Sequence, residues 1–223
     1  MQSIRHTIPL LLILGSACAL VLSSGGCAAM GLVAHAVTPP PKVPPKFVLP
    51  AEPTIVLVDS STSAGQTMLD GQHIARRASE SMRAAGLNFV LDSSLAVEQQ
   101  SRHHPDGSRL RPSEVARACG ARQFVYIDLT RYGTTSGMSS DGTNGQAEAA
   151  VWVVDAQSAQ VLWPPQANQG HPLGVTVPFR PSTAGTSEQA IRTEMNAMLG
   201  EKAGRLFFEW REPEVAEQYP DGR

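Results

Sequence analysis

The amino-acid sequence predicts an α/β (α+β) domain: one mixed sheet covered by helices, in the order β-α-β-α-β-β-β-α, behind a disordered N-terminal linker. Three observations predict it. β-Branched runs alternate with helical stripes through the first half, as βαβ units do. The second half is dominated by strands joined through turns, so its connections are antiparallel. A long amphipathic stripe near the C-terminus supplies a helix to lie on the sheet. The 223 residues carry 18 Lys+Arg against 20 Asp+Glu, a formal net charge of -2. That balance gives no electrostatic reason to expect nucleic acid as a partner. A hydrophobic share of 42% is too high for a fully disordered chain.

Residues 1–26 read as an export signal. Arg5 supplies a positive n-region, and the apolar run from Ile8 to Leu22 follows. Its 15 residues fall short of the roughly 20 that span a membrane and fit a signal h-region. Ser23-Ser24-Gly25-Gly26-Cys27-Ala28-Ala29 then resembles the lipobox of bacterial lipoproteins, with Ser24 where Leu is commonest. The resemblance implies diacylation of Cys27, cleavage before it, and Cys27 as the mature N-terminus. The plainer alternative is an ordinary small residue near a conventional cleavage site. Cys18 would leave with the signal and Cys27 would be lipidated. Cys119 is then alone, so the mature chain has no intramolecular disulfide. Ala28 stands where Asp often signals inner-membrane retention, which points to the outer membrane and a periplasm-facing domain.

Seven prolines lie between Pro39 and Pro53, so residues 27–53 read as a lipid-anchored linker whose last part runs as polyproline II. The domain spans 54–211 and begins with a buried strand, Thr54 to Asp59. Gln72 to Ala85 forms a helix with its apolar stripe on Ile74, Ala78, Met82 and Ala85, and Gly86 takes the position after its end. Leu87 to Leu91 is a second strand. Ser93 and Ser94 cap a short helix that runs through Gln100, and Ser101 to Arg111 is turn-like. Ser113 to Cys119 is a helix behind Pro112, ended by Gly120. Gln123 to Thr130 is the third strand. Tyr132 to Gly145, with four glycines among Ser and Thr, is a long loop. Ala147 to Asp155 and Gln160 to Trp163 form a hairpin across Ala156 to Ala159. His171 to Phe179 is an edge strand because it contains Pro172 and Pro178. Thr186 to Gln189 has the capping-box pattern. Ile191, Met195, Leu199, Ala203 and Phe207 then recur every four residues, broadened by Met198, Leu206 and Trp210. Gly200 and Gly204 permit close packing on the sheet. Residues 212–223 form a polar, frayed tail.

The search for chemistry finds absences. The sequence contains no P-loop, no G-x-G-x-x-G between strand and helix, no G-x-S-x-G and no H-E-x-x-H. No Cys pair is present to hold zinc, and no cofactor is expected. His103, His104 and Asp106 form the densest ligand-like cluster, which a solvated loop explains more simply. Asp59 and Asp92 end strands where α/β sheets often place functional groups, and both serve equally well as turn or cap residues. Cys119 reads as a buried, inert thiol. No catalytic or metal-binding residue is assigned, and Cys27 is the one assigned site.

Three segments carry a wider resemblance: Gly86 to Gln100, Ala116 to Val125, and Val153 to Trp163. With the lipobox and the Pro-rich linker, they make the chain similar to the LpoB-type penicillin-binding-protein activators. The domain also resembles the curli secretion lipoprotein CsgG family and the N-terminal domain of TolB. Ala159 stands where that hairpin turn usually has Gly. The resemblance implies a non-catalytic adaptor or activator on a membrane. Its partner would be an envelope protein, a cell-wall synthase or a secretion component. A homo-oligomeric assembly component of CsgG type is the alternative, and an envelope enzyme is third. A pore of that type needs apolar alternating strands of about 9–11 residues. The polar stretch at 133–146 does not read as one.

Overall fold

The computed structural model describes residues 41–60, 68–136, 142–166, 168–181 and 188–212. The signal segment, Cys27, the Thr186–Ser187 part of the capping box and the tail beyond 212 lie outside the described residues. The strands are β1 (Lys42–Val43), β2 (Thr54–Asp59), β3 (Gln123–Ser136), β4 (Gly142–Asp155), β5 (Val161–Trp163), β6 (His171–Pro181) and β7 (Trp210–Arg211). The helices are α1 (Met68–Ala84), α2 (Ser94–Ser101), α3 (Pro112–Ala118) and α4 (Glu188–Gly204), followed by a 3₁₀ turn at Arg205–Phe207. The chain divides into two units, Pro44–Trp210 and the two terminal stretches Met1–Val43 and Arg211–Arg223. The first of these is the folded domain.

Its sheet is mixed, with strand order β2-β3-β4-β5 and β6 also on β4. β2 runs parallel to β3, and β3–β4, β4–β5 and β4–β6 are antiparallel. Alternation sorts the strand residues between two cores. Val56, Val125, Ile127, Leu129, Val151 and Val153 face α1 and α4. Ile55, Leu57, Phe124 and Val154 face Ala96 of α2 and Val115 and Ala116 of α3. Helices therefore lie on both faces of the sheet. β3 carries an irregularity at Thr130, between the pairs Leu129↔Ala149 and Arg131↔Glu148. The extra residue turns Tyr132, and not Arg131, towards α4.

Several expectations need correction. The stretch expected as a loop from Tyr132 to Gly145 is mostly strand, since pairing continues through Ser136↔Thr143. Its glycines were misread. A Cβ on Gly145 would lie 2.8 Å from Ile191 Cγ2, so this glycine lets α4 approach the sheet. Leu87 to Leu91 is not a strand but a turn with a single parallel bridge, Thr54↔Val90. Gly86, at φ +94°, starts two successive tight turns, and the apolar side chains plug the sheet edge instead of extending it. α1 starts at Met68, four residues before the expected Gln72. Gly200 and Gly204 pack α4 against α1, not against the sheet. Met198 is 38% exposed, so it leaves the apolar stripe.

The packed region also begins ten residues before the expected boundary at Thr54. Leu49 is buried. The Lys46 and Phe47 amides donate to the Leu206 carbonyl at 2.7 and 3.2 Å. Phe47 stacks on Trp163, with ring centroids 5.9 Å apart. Gln123 Nε2 donates to Pro50 O at 2.8 Å and to Thr54 Oγ1 at 2.9 Å. Prolines that exclude helix do not exclude a strap laid across a core. The expected edge strand is confirmed. β6 pairs with β4, with Pro172 opposite Ala150, and Lys202 Nζ donates to the Gly174 carbonyl at 2.7 Å.

Candidate functional site

A cavity of ≈ 280 Å³ opens at the carboxyl end of β2, between α1, α2 and the segment leading into α3. Ends of parallel strands are where open α/β sheets usually take ligands, because the loops there diverge. Its floor is apolar, with Val56, Leu57, Ala75 and Val115. Its polar groups are Asp59, Gln72, Ser93, Gln100 and Arg109. Tyr126, also on the wall, has its hydroxyl held up in pKa by burial first and then by the Asp59 and Asp128 charges. It donates to Asp59, and the Ser60 amide donates to Asp59 Oδ1 at 2.8 Å.

Ser93 sits at the N-cap of α2 yet makes no capping bond with its side chain. Asp92 does that work, accepting the Ser94 amide at 2.9 Å. The Ser94 contacts, with Arg83 3.6 Å away, hold the Asp92 carboxyl below its usual range. Asp92 is thus a cap, one of the two roles its sequence allowed, and it does not line the cavity.

A second polar cluster joins α1, β3 and α4 on the other face. Tyr132 Oη donates to Asn196 Oδ1 at 2.8 Å, and Asn196 Nδ2 donates to Asp70 Oδ1 at 2.8 Å. Arg192 reaches Asp70 Oδ2 at 3.2 Å and Glu188 Oε1 at 3.1 Å, and its guanidinium lies 5.6 Å from the Tyr132 ring centre. Asp70, Tyr132 and Asn196 are at most 5% exposed. Their bonds are mutually satisfied, so this cluster fixes the α1–α4–β3 geometry.

The residues singled out in the sequence do not converge. Asp59 lines the cavity. His104 pairs with Glu114 at 3.1 Å, and His103 forms a bridge with Arg109. Asp106 closes its own turn by accepting the Ser108 hydroxyl and amide, which lowers its pKa. Among the described residues no three His, Cys, Asp or Glu side chains are grouped to hold a metal. Cys119 is only partly buried, its Sγ contacts Leu95 O at 3.4 Å, and burial raises its pKa. Phe207 is core, Phe208 packs beside it, and Trp210 is half-exposed beneath the Arg205 guanidinium at 4.5 Å. Sequence reasoning missed Ser93, Arg109 and Tyr126 as neighbours of Asp59. With Asp59 they come from four separate segments of the chain, and no local spacing announces them. Among the described residues no helix is long and apolar enough to cross a membrane.

No protein-family model and no curated protein matches the chain. Solved structures do. A PelC dodecamer from Paraburkholderia phytofirmans aligns at 12% identity and TM-score 0.38, over 74% of this chain and 95% of that one. Lipoprotein GNA1162 from Neisseria meningitidis aligns at 14% identity and TM-score 0.37, over 66% and 92%. The hypothetical protein CT253 from Chlamydia trachomatis aligns at 11% and 0.33, over 69% and 96%. At these identities and scores the likeness carries no function, partner or assembly state over to this chain.

Proposed function

We propose that this chain is a lipid-anchored protein of the bacterial cell envelope and that its domain is a non-catalytic binding module, an adaptor or activator. The observation that most supports this is the continuity of the chain from Cys27 into the fold. Cys27 ends a signal-like run, and only the seventeen residues 27–43 separate the start of the mature chain from the packed domain at Pro44. At about 3.3 Å per residue, the limit for a fully extended chain, seventeen residues span at most roughly 55 Å. Two or more acyl chains hold such a tether stably, and tethering raises the local concentration of the domain at a second envelope component. The separate engagement of Asp92, His103 and His104 favours binding over catalysis. An outer-membrane anchor, with a cell-wall synthase as the partner in the LpoB manner, is the finer form of this proposal.

A second reading, an oligomeric assembly component, is favoured by one feature. β3 and β4 are each 14 residues long, which is long enough for an extended hairpin. Polarity argues against a membrane-spanning one, since Thr134, Thr135, Asn144 and Gln146 occupy the extension.

The test is cross-linking of the tagged full chain in cells, with Cys27→Ala in parallel. The adaptor reading expects one envelope protein to be enriched with the natural chain and lost with the variant. A partner list indifferent to Cys27→Ala overturns the tethering argument, and self-cross-links alone favour the second reading.

A further inference from the structure

Two opposite charges face the cavity at the end of β2 and do not meet. Asp59 and Arg109 both line it. Among the described residues neither belongs to an ion pair, with each other or with any other side chain. Ser93 gives an independent indication. It is 7% exposed, lines the cavity, and its side chain makes no capping bond, which leaves the hydroxyl available at the cavity wall. Gln72 and Gln100 add two amides to the same wall.

We infer that this cavity binds a small zwitterion, a free α-amino acid or dipeptide, with its ammonium at Asp59 and its carboxylate at Arg109. The chemistry is complementary in three respects. A carboxylate already accepting the Tyr126 hydroxyl and the Ser60 amide retains acceptor capacity for an ammonium. A guanidinium matches a carboxylate through paired N–H donors. The Ser93 hydroxyl and the two amides provide hydrogen bonds for the polar atoms between the ligand's charges. The apolar floor of Leu57, Ala75 and Val115 takes a short aliphatic side chain. A purely anionic ligand would meet Asp59, and a purely cationic one would meet Arg109. A volume of ≈ 280 Å³ limits the ligand to one or two residues. This site is separate from the partner contact proposed above, and either can fail alone.

The test is calorimetric titration of the full-length protein in detergent with L-alanyl-L-alanine, its N-acetyl form and its C-terminal amide. The expected result is binding of the free dipeptide, with each blocked form at least tenfold weaker. Asp59→Asn should weaken the free dipeptide about tenfold and abolish discrimination against the N-acetyl form. Arg109→Gln should do the same for the amide. Both residues are exposed, so both variants should fold, and circular dichroism checks this. Ser93→Ala should weaken binding several-fold while keeping both discriminations. No binding of the free dipeptide overturns the inference, as does equal binding of the blocked forms. So does an affinity unchanged in both charge variants.

Discussion

Gly200→Ala tests the contact that sets the helix layer. A Cβ at this position would sit 2.6 Å from Ile74 O, 2.7 Å from Arg77 Cβ and 3.2 Å from Ala78 N. Ordinary contact begins near 3.4 Å, so α4 must retreat from α1 by most of an ångström. The nearest atoms are backbone and Cβ of a facing helix, and no rotamer change moves them aside. Two terms oppose each other. Alanine is the better helix former by about 1 kcal/mol. Overpacking costs about 1–3 kcal/mol, and it also loosens the Ile74, Ala78, Leu199 and Ala203 contacts across the same seam. The expected net is a loss of about 1 kcal/mol, the middle of the resulting range, or a Tm lower by about 2–4 °C for a domain of this size. Urea and thermal unfolding followed by circular dichroism measure it. Gly204→Ala is the internal control. Its Cβ would lie 3.0 Å from Ala78 O and from Ser81 Cβ, so its penalty should be smaller. If Gly200→Ala proved as stable as the natural chain, or more so, the close-approach account of α1–α4 packing would be refuted.

Three further outcomes are expected. Ala159 adopts φ +57° in the β4–β5 turn, so Ala159→Gly should stabilise by about 1 kcal/mol in the same unfolding assay, and a loss would contradict the assigned strain. Tyr132→Phe leaves the buried Asn196 Oδ1 without its donor and should cost about 1–3 kcal/mol, with little change expected from Thr135→Val on the exposed side of β3. Burial, and then the Lys46 charge, lower the His171 pKa in the folded state. Below about pH 6.5 the unfolded chain binds this proton before the folded chain does, so stability should fall as pH drops through that window. His171→Gln should remove that part of the pH dependence, and an unchanged slope in pH-dependent melting would disprove it.

The elements legible in the sequence were those decided within a few residues. β2 is a β-branched run, and α4 shows a four-residue apolar repeat. Pro172 and Pro178 marked β6 as an edge because proline has no N–H to give a ladder. The Asp155 turn was also local. Its carboxylate accepts the Gln157 and Ser158 amides, which holds its pKa down. The errors share a different cause. Gly145 was read as loop because glycine is usually free in a strand, yet here Ile191 fills the place of its Cβ. Leu87 to Leu91 had strand composition, but Gly86 set a turn that left only Val90 to bridge Thr54. For the candidate site, only Asp59 was legible, from its place at a strand end.

Sequence alone determined the mixed α+β class and most of the core-facing residues of α1 and α4, because each depends on local composition and periodicity. Tertiary structure decided where the domain begins, since Phe47 packs on Trp163, more than a hundred residues on, and Leu49 is buried in the core. It also decided that helices cover both faces and that Asp59, Ser93 and Arg109 share one cavity. These are contacts between segments far apart in the chain, and no short-range pattern of residues encodes their distances.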